Sequence, residues 1–386
     1  MSFFWSGATR KLHPLQTITS LKIAIFTEFD LKAINVSPEY GKYFIWADGN
    51  KIMDINTTAV ITIDAREGNV DLRNKGSFIG SYKRVKIVGS DAPNAISIRP
   101  VSIKVTERIY DNNLEIVALN NKLKIINHVN IQFYVAGVVE AENGPKQNFE
   151  FYKAKAVICR TYALSNLRRH EAEGYHVCDQ VHCQVYRGKS LLNDDIVMGA
   201  SATNDIVIVD QNINLITAAF HSNCGGKTLN SEDVWSLSLP YLKSTVDTFC
   251  LKMPNSKWEK RISKKEWKNY VSKFQKEILL DSNHANCNYN YIQLDREIDY
   301  VNHGVYIPLK DIRTKFRLKS TYFNVEEIDE QTLVLSGRGY GHGIGLCQEG
   351  AMRMAQAGYK YPEILQYYYR DIHLVDISAL DFFKED

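Results

Sequence analysis

A strong excess of one charge is missing: 47 Lys and Arg face 44 Asp and Glu, a net +3 over 386 residues. A nucleic-acid binder needs a basic stripe or a basic domain, so nucleic acid is excluded as a partner. No run approaches the roughly 20 apolar residues that a membrane-spanning helix requires, so no transmembrane segment is expected. The opening stretch, MSFFWSGATRKLHPL, has aromatics but no basic region followed by a long apolar core. It does not read as a secretory signal, so the chain is either cytoplasmic or exported by a segment upstream of this start or trimmed from it. No GxGxxG and no GxxxxGK followed by Ser or Thr is present, which removes the usual phosphate cradles. No G-x-S-x-G nucleophile elbow is found either. Internal repeats and low-complexity tails are absent. Cysteines number seven, an odd count, and two of them bound a hexapeptide that also holds a His. That favours metal or free thiols over a full disulfide framework.

What is present suits a globular protein, with 45% hydrophobic residues. The 22 Tyr and 16 Phe lean weakly toward a carbohydrate groove, although rings fill cores more often. Residues 20–135 read as β structure. Short runs at Leu21–Phe26, Tyr43–Ile45, Val60–Ile63, Arg84–Val88, Ile96–Ile98, Ser102–Val105, Leu114–Val117 and Leu123–Ile126 are rich in Val, Ile and aromatics. Turn signals such as Asp48-Gly49, Glu67-Gly68 and Asn120-Asn121 separate them, as in hairpins of a sandwich or barrel. A further apolar run, Tyr134–Val139, reads as a strand that delivers Glu140 and Glu142 to a turn. From Asn148 the period changes to three and four through Phe149, Tyr152, Ala156, Cys159, Ala163 and Leu167. This predicts a buried helix capped by Asn148 and stopped at Gly174. Residues 192–248 read as strands and loops. Ser263–Glu266 fits a capping box, followed by an amphipathic helix through Trp267, Tyr270, Val271, Phe274 and Ile278. A short helix is expected over Leu309–Phe316. Glycines alternate from 337 to 345 ahead of another helical stretch, and a last helix starts near Pro362.

Three clusters carry chemistry. Glu140 and Glu142 share one face if the backbone is a strand. A carboxylic acid in an apolar setting can protonate a glycosidic oxygen at neutral pH. Two Glu near a turn are more commonly just solvated. The segment from His176 through Cys178, His182 and Cys183, with His170 upstream, offers thiolate and imidazole ligands of the kind zinc takes in a tetrahedron. A Cys178–Cys183 disulfide and ordinary buried thiols stay open as alternatives. The alternating glycines permit unusual backbone and close approach to a ligand, and His342 lies among them. His221, Ser222, Cys224 and Cys347 also admit a Ser or Cys nucleophile with His, the weakest of the readings.

The stretch GVVEAEN…FYKAKAVICRTYAL resembles the hallmark of the stage II sporulation protein D (SpoIID/LytB) family. HCQVYRG (182–188), AAFHSNCGGKT (218–228), VW…PYLKSTVD (234–247), GRGYGHGIGLCQEGA (337–351) and ILQYYY (364–369) look like further signatures in the same order. The resemblance implies an α+β fold: a β-rich N-terminal region, residues 1–100, and a mixed α/β catalytic domain, residues 101–375, built round a buried helix, with an insert-like lobe at 250–330. It implies a lytic transglycosylase that cuts denuded peptidoglycan between MurNAc and GlcNAc to leave 1,6-anhydro ends, in cell-wall remodelling or sporulation-type septal processing. Glu142 takes the place of the catalytic acid. His221, Ser222, Arg338, Tyr340, His342 and Gln348 take substrate-binding positions. A structural zinc falls on Cys178, His182 and Cys183, with His170 or His176 as fourth ligand. The expected location is the cell envelope, outside the cytoplasm. The chain departs from the pattern after the acid, where Asn143-Gly144-Pro145 replaces Met-Pro, and in the glycine loop, where Leu346-Cys347-Gln348-Glu349-Gly350 replaces Met-Ser-Gln-Trp-Gly. The first change motivates an alternative: a non-catalytic glycan-binding enhancer of an N-acetylmuramoyl-L-alanine amidase.

Overall fold

Residues 19–90, 93–101, 103–235, 237–274, 289–302 and 304–378 are described by the computed structural model of the chain. The opening MSFFWSGATRKLHPL, Ser102, Cys287 and the expected helical position Ile278 lie outside these residues. The chain divides into two compact units, residues 1–147, 155–209 and 374–386 in one, and 148–154 with 210–373 in the other.

The first unit opens with twelve strands: β1 Ser20–Ile25, β2 Ala33–Tyr40, β3 Tyr43–Ala47, β4 Asn50–Ile55, β5 Ile61–Arg66, β6 Asn69–Asn74, β7 Ser77–Tyr82, β8 Arg84–Gly89, β9 Ala95–Pro100, β10 Arg108–Asp111, β11 Asn113–Leu119 and β12 Lys122–Asn130. Alternation is clearest in β2 and β11, which bury Ile34, Val36 and Pro38, and Leu114, Ile116 and Ala118, between more exposed neighbours, whereas β9 buries Ala95–Ile98 in succession. Two-residue turns fix the register. Ala47 pairs with Asn50 across Asp48-Gly49, and Arg66 with Asn69 across Glu67-Gly68. All four of those turn residues have φ between 47° and 88°, the left-handed conformation that a tight hairpin requires. One sheet has the order β10-β9-β2-β5-β6-β7. The other runs from β1 through β12, β11, β8 and β3 to β4. Their facing side chains, among them Ile34, Ile63 and Leu72 against Ile45, Ile87 and Ile116, are fully buried. The β reading of this region is therefore correct. The run at 102–105 is the exception, because residues 103–107 hold no regular structure. β9 already has β2 on one side and β10 on the other, and this segment only connects β9 to β10.

Two helices follow, α1 Ile131–Asn143 and α2 Phe149–Ser165, then β13 Val177–Cys178, α3 Asp194–Ala202 and β14 Ile206–Val209. α1 corrects the strand expected over Tyr134–Val139. Asn130 caps it by accepting from Gln132 N–H at 2.8 Å, and Gly144, at φ 67°, ends it by donating to Glu140 C=O at 2.9 Å. Ile131 and the whole run Tyr134–Val139 are buried. A helix covered nearly all round has no polar stripe, so its apolar run looks like an interior strand. α2 stops at Ser165 instead of Gly174, because Ser165 Oγ and Asn166 Nδ2 both donate back to Tyr162 C=O. Gly174 closes a later short 3-10 turn, Glu171–Glu173. α3 was not expected. Asn193 caps it by accepting from Asp195 N–H, and two acidic residues fill its first turn, a local start signal in plain sequence.

The second unit contains β15 Phe220–His221, α4 Ser231–Val234, β16 Lys257–Ser263, α5 Lys264–Val271, β17 Asp299–Asn302, β18 Val305–Pro308, α6 Leu309–Lys315, β19 Phe323–Glu327, β20 Thr332–Arg338, β21 Leu346–Cys347, α7 Gln348–Gln356 and α8 Tyr361–Tyr368. Ser263 caps α5 through Glu266 N–H, as the capping-box spacing anticipated. Trp267, Phe316, Phe323 and Leu335 belong to an apolar cluster over the sheet β16-β20-β19. β15 and β21 pair in parallel, His221 opposite Cys347. The last strand, β22 His373–Asp376, pairs with β14. Strands and helices are thus mixed in one chain behind a β-rich start, an α+β protein.

Candidate functional site

The end of α1 holds the two carboxylates, and the helix sends them in different directions. Residues two apart on a helix are about 200° apart around its axis, so Glu140 and Glu142 do not share a face. Glu140 is spent on structure. Its carboxylate accepts from Ser190 Oγ at 2.8 Å and from the backbone N–H groups of Leu191 and Leu192 at 2.8–3.1 Å. Glu142 is engaged differently. Its side chain is 10% exposed, Oε2 lies 2.7 Å from Lys155 Nζ, and Oε1 accepts from Val185 N–H at 3.3 Å. Lys155 is fully buried on α2. The acid is therefore held in place by a buried ammonium, a partner that the sequence reading missed. Gly137 of the GVV triplet allows this end of α1 to approach: a Cβ there would stand 2.1 Å from Gly188 C=O.

The RTYAL stretch of α2 turns out to be scaffold. Arg160 is fully buried and donates to Ile206 C=O at 3.0 Å, Gln132 Oε1 at 2.6 Å and Ala200 C=O at 3.0 Å. Burial pulls its guanidinium down to about 10. Thr161 Oγ1 donates to Val157 C=O and accepts from Ile208 N–H. These bonds tie α2 to α1, α3 and β14, which holds Lys155, one turn earlier, against Glu142.

β13 runs parallel to β1, with Cys178 opposite Ala24, and so places the Cys/His loop on a sheet edge. His170, Cys178, His182 and Cys183 then bring one ligand atom each within 4.8 Å of one another. Cys178 Sγ to His182 Nε2 is 3.1 Å, and Cys183 Sγ to His170 Nε2 is 3.4 Å. Ligands of a tetrahedral zinc with Zn–S and Zn–N bonds of about 2.3 and 2.0 Å stand roughly 3.3–3.8 Å apart, so this donor set fits the ion. Glu173 Oε2 lies 2.6 Å from His170 Nδ1, the outer carboxylate that commonly orients a ligating imidazole. His176 points elsewhere: its Nδ1 accepts from Lys22 N–H at 3.2 Å. Between the two candidates for the fourth position, geometry brings only His170 to the cluster. Asp179, fully buried, anchors the loop by accepting from Phe26 N–H and both donors of Thr27, with Arg108 at 3.3 Å.

In the second unit, β15 and the glycine loop bring His221 and His342 together, ring centroids 5.5 Å apart. A Cβ on Gly341 would lie 2.7 Å from His221 Cβ, and φ at Gly341 is 119°, so only glycine fits. His221 donates from Nδ1 to Ile344 C=O at 3.1 Å, which leaves Nε2 as the acceptor. That Nε2 is buried and has no hydrogen-bond partner among the described residues. His342 has the opposite tautomer, because its Nδ1 accepts from Ile344 N–H at 3.0 Å. Burial pulls both imidazoles down, His342 to about 4. Trp235, not singled out from sequence as a site residue, has its ring 6.0 Å from that of His342. Tyr340 is 45% exposed, and Arg338 stacks on Tyr322. Ser222 C=O receives Glu349 N–H at 3.0 Å. Gln348 opens α7 and is partly exposed. Glu349, at the position where the family pattern has Trp, is a buried acceptor for Asn223 Nδ2 and for both donors of Asn255. Cys224 and Cys347 are fully buried, which opposes the reading of a nucleophilic Cys beside His221.

Residues 119–209 match the family described as stage II sporulation protein. Over 365 residues, 91% of this chain and 92% of the other, the chain is 25% identical to an uncharacterized protein of Brachyspira hyodysenteriae. It is 27% identical over 300 residues to stage II sporulation protein D of Bacillus subtilis, covering 74% of this chain and 85% of that one. The amidase enhancer of Bacillus subtilis is 30% identical over 287 residues, 60% of this chain, and the match spans 39% of that longer protein. The matched interval contains Glu142, Lys155, Arg160 and the whole Cys/His cluster, and it is there that the chain is similar to the stage II sporulation protein D family.

Proposed function

We propose that this protein, within the cell-wall role of its family, is a lytic transglycosylase acting on denuded peptidoglycan glycan strands. The observation that carries the reading is the contrast at the end of α1: Glu140 accepts from three neighbouring donors of one loop, whereas among the described residues Glu142 accepts from the Val185 N–H and faces the buried ammonium of Lys155. A transglycosylase needs one carboxyl group. It gives a proton to the oxygen linking MurNAc C1 to GlcNAc as that bond breaks. The MurNAc 6-hydroxyl then closes on C1 and returns its proton to the same carboxylate, so no water is consumed and a 1,6-anhydro end results. Lys155 positions the carboxylate and stabilises it between the two proton transfers. His221, Ser222, Arg338, Tyr340, His342 and Gln348 are assigned to glycan binding, with Trp235 as an added stacking face. Zinc on His170, Cys178, His182 and Cys183 is structural: four protein ligands leave no open position for chemistry. The protein acts outside the cytoplasm, where the glycan lies. Among the described residues no helix is long and apolar enough to cross a membrane.

A second reading is favoured by the same ion pair and by the relative named amidase enhancer: a glycan-binding partner of a cell-wall amidase, with Glu142 as a purely structural anion. Incubating the purified protein with denuded glycan and no amidase separates the two. Anhydro-ended fragments in the mass spectrum, lost in Glu142→Gln, support the transglycosylase. Intact strands, together with a rise in amidase rate when the protein is added, overturn it.

A further inference from the structure

The second unit contains a cluster that the proposed chemistry does not use. Cys224, Asp247, Cys250 and Cys347 are all fully buried, and one ligand atom from each lies within 4.8 Å of the others. Cys224 Sγ stands 3.4 Å from Cys250 Sγ and 3.3 Å from Asp247 Oδ2. We propose that these four residues bind a second zinc ion, distinct from the one assigned to the Cys/His loop.

Four features of the chemistry support this. First, the two separations from Cys224 Sγ, 3.4 Å to Cys250 Sγ and 3.3 Å to Asp247 Oδ2, match the edges of a tetrahedral zinc site, roughly 3.3–3.8 Å, and Cys347 Sγ lies within 4.8 Å of all three atoms. A binuclear iron–sulfur core would spread its ligands wider. Second, the surroundings orient the ligands as an outer shell does. Cys347 Sγ accepts from the N–H groups of Cys224 and Gly350 at 3.3 and 3.4 Å. Asp247 turns Oδ1 to Phe249 N–H and Cys250 N–H, and Oδ2 faces the sulfurs with Tyr368 OH at 3.0 Å. Third, Asp247 is a buried carboxylate that makes no ion pair with Lys, Arg or His among the described residues. Burying such a charge is costly unless a cation accompanies it, and a divalent ion supplies that charge. Fourth, Gly350 permits the approach: a Cβ there would stand 2.3 Å from Asp247 Oδ2. On binding, the three thiols release their protons to solvent and coordinate as thiolates. The ion would join three stretches of chain, 224, 247–250 and 347. It would clamp β15 to β21 and thereby fix the spacing of His221 and His342.

The test is elemental analysis of the full chain, purified without chelator and desalted. Two zinc per chain are expected in the wild type. Cys224→Ser with Cys347→Ser loses one, His170→Ala with Cys183→Ser loses the other, and the combined variant loses both. One zinc in the wild type, unchanged by the Cys224/Cys347 pair, overturns the proposal. So does iron with visible absorption. Thiol titration of the unfolded, unreduced chain is a further arm. All seven cysteines should react, and a shortfall of two traced to Cys224 and Cys250 means a disulfide and sinks the metal site. If the paired serine variant does not fold, X-ray absorption on the wild type still decides. Two sites give an average of about 2.5 sulfur ligands per zinc, the Cys/His site alone about 2.

Discussion

Lys155 and Glu142 form the most informative pair to perturb. Both side chains are shielded, at 0% and 10% exposure, and their charges stand 2.7 Å apart. Removing one member of such a pair leaves a buried charge without its counter-charge, a loss of about 3–5 kcal/mol. Lys155 has further contacts, so the lower end applies to Glu142→Ala, about 3 kcal/mol. For a folding unit of this size that lowers the melting temperature by roughly 6–12 °C. Glu142→Ala is thus a poor test of catalysis, since lost activity and lost fold coincide. Glu142→Gln with Lys155→Met removes both charges at similar volume and should restore most of the melting temperature while remaining inactive. Calorimetry of the wild type, Glu142→Gln, Lys155→Met and the double variant, with release of anhydro ends from denuded glycan at a temperature well below every midpoint, gives the double-mutant cycle. A folded Glu142→Gln should be slower by about 10²–10⁴-fold, the usual worth of a general acid. If it keeps wild-type turnover, the catalytic assignment is wrong. If Lys155→Met and Glu142→Gln leave the melting temperature unmoved and show no coupling, the ion-pair reasoning is wrong.

Glu140→Gln should behave in the opposite way, loosening the loop at Ser190–Leu192 and costing about 1–3 kcal/mol while leaving turnover per folded molecule unchanged; hydrogen exchange at Leu191 and Leu192 is the readout. Arg160→Met strips three acceptors of their donor and should destabilise the protein by about 3 kcal/mol, seen as a lower denaturant midpoint, without altering zinc content. Removing zinc with a strong chelator at neutral pH should lower the stability of the wild type, and adding the metal back should restore it; no change in the denaturation curve refutes the structural role. His342 titrates at about 4 when folded and near 6.5 when unfolded. Its contribution to stability is therefore complete above about pH 6.5 and is lost as pH falls toward 4, because the unfolded chain takes up the proton first. A His342→Gln variant should show a flatter stability profile over that window.

Local patterns fix much of this molecule. Alternating apolar residues with left-handed turns such as Asp48-Gly49 and Glu67-Gly68 specify many of the strands of residues 20–130, because period two and left-handed turn residues are properties of neighbours in sequence. Asn148, Ser263 and the Pro at 362 mark helix starts for the same reason. α1 was misread because a helix buried on every side loses the stripe that reveals its period; the Asn130 cap and the Gly144-Pro145 stop were its only local signals. That error also put Glu140 and Glu142 on a shared face, where α1 separates a structural acceptor from a candidate acid.

The sequence by itself determined the family motifs, the β-rich start, and the presence of Glu142 and a Cys/His loop at ligand spacing. Only the tertiary structure decided that Lys155 is the partner of Glu142, that His170 and not His176 joins the two cysteines, and that Cys224, Asp247, Cys250 and Cys347 meet at one point. Those relations join residues that are between 3 and 123 positions apart, and the longest of them arise because β15 lies beside β21. Chemistry between distant residues depends on which buried surfaces come to pack together, and no local period records that.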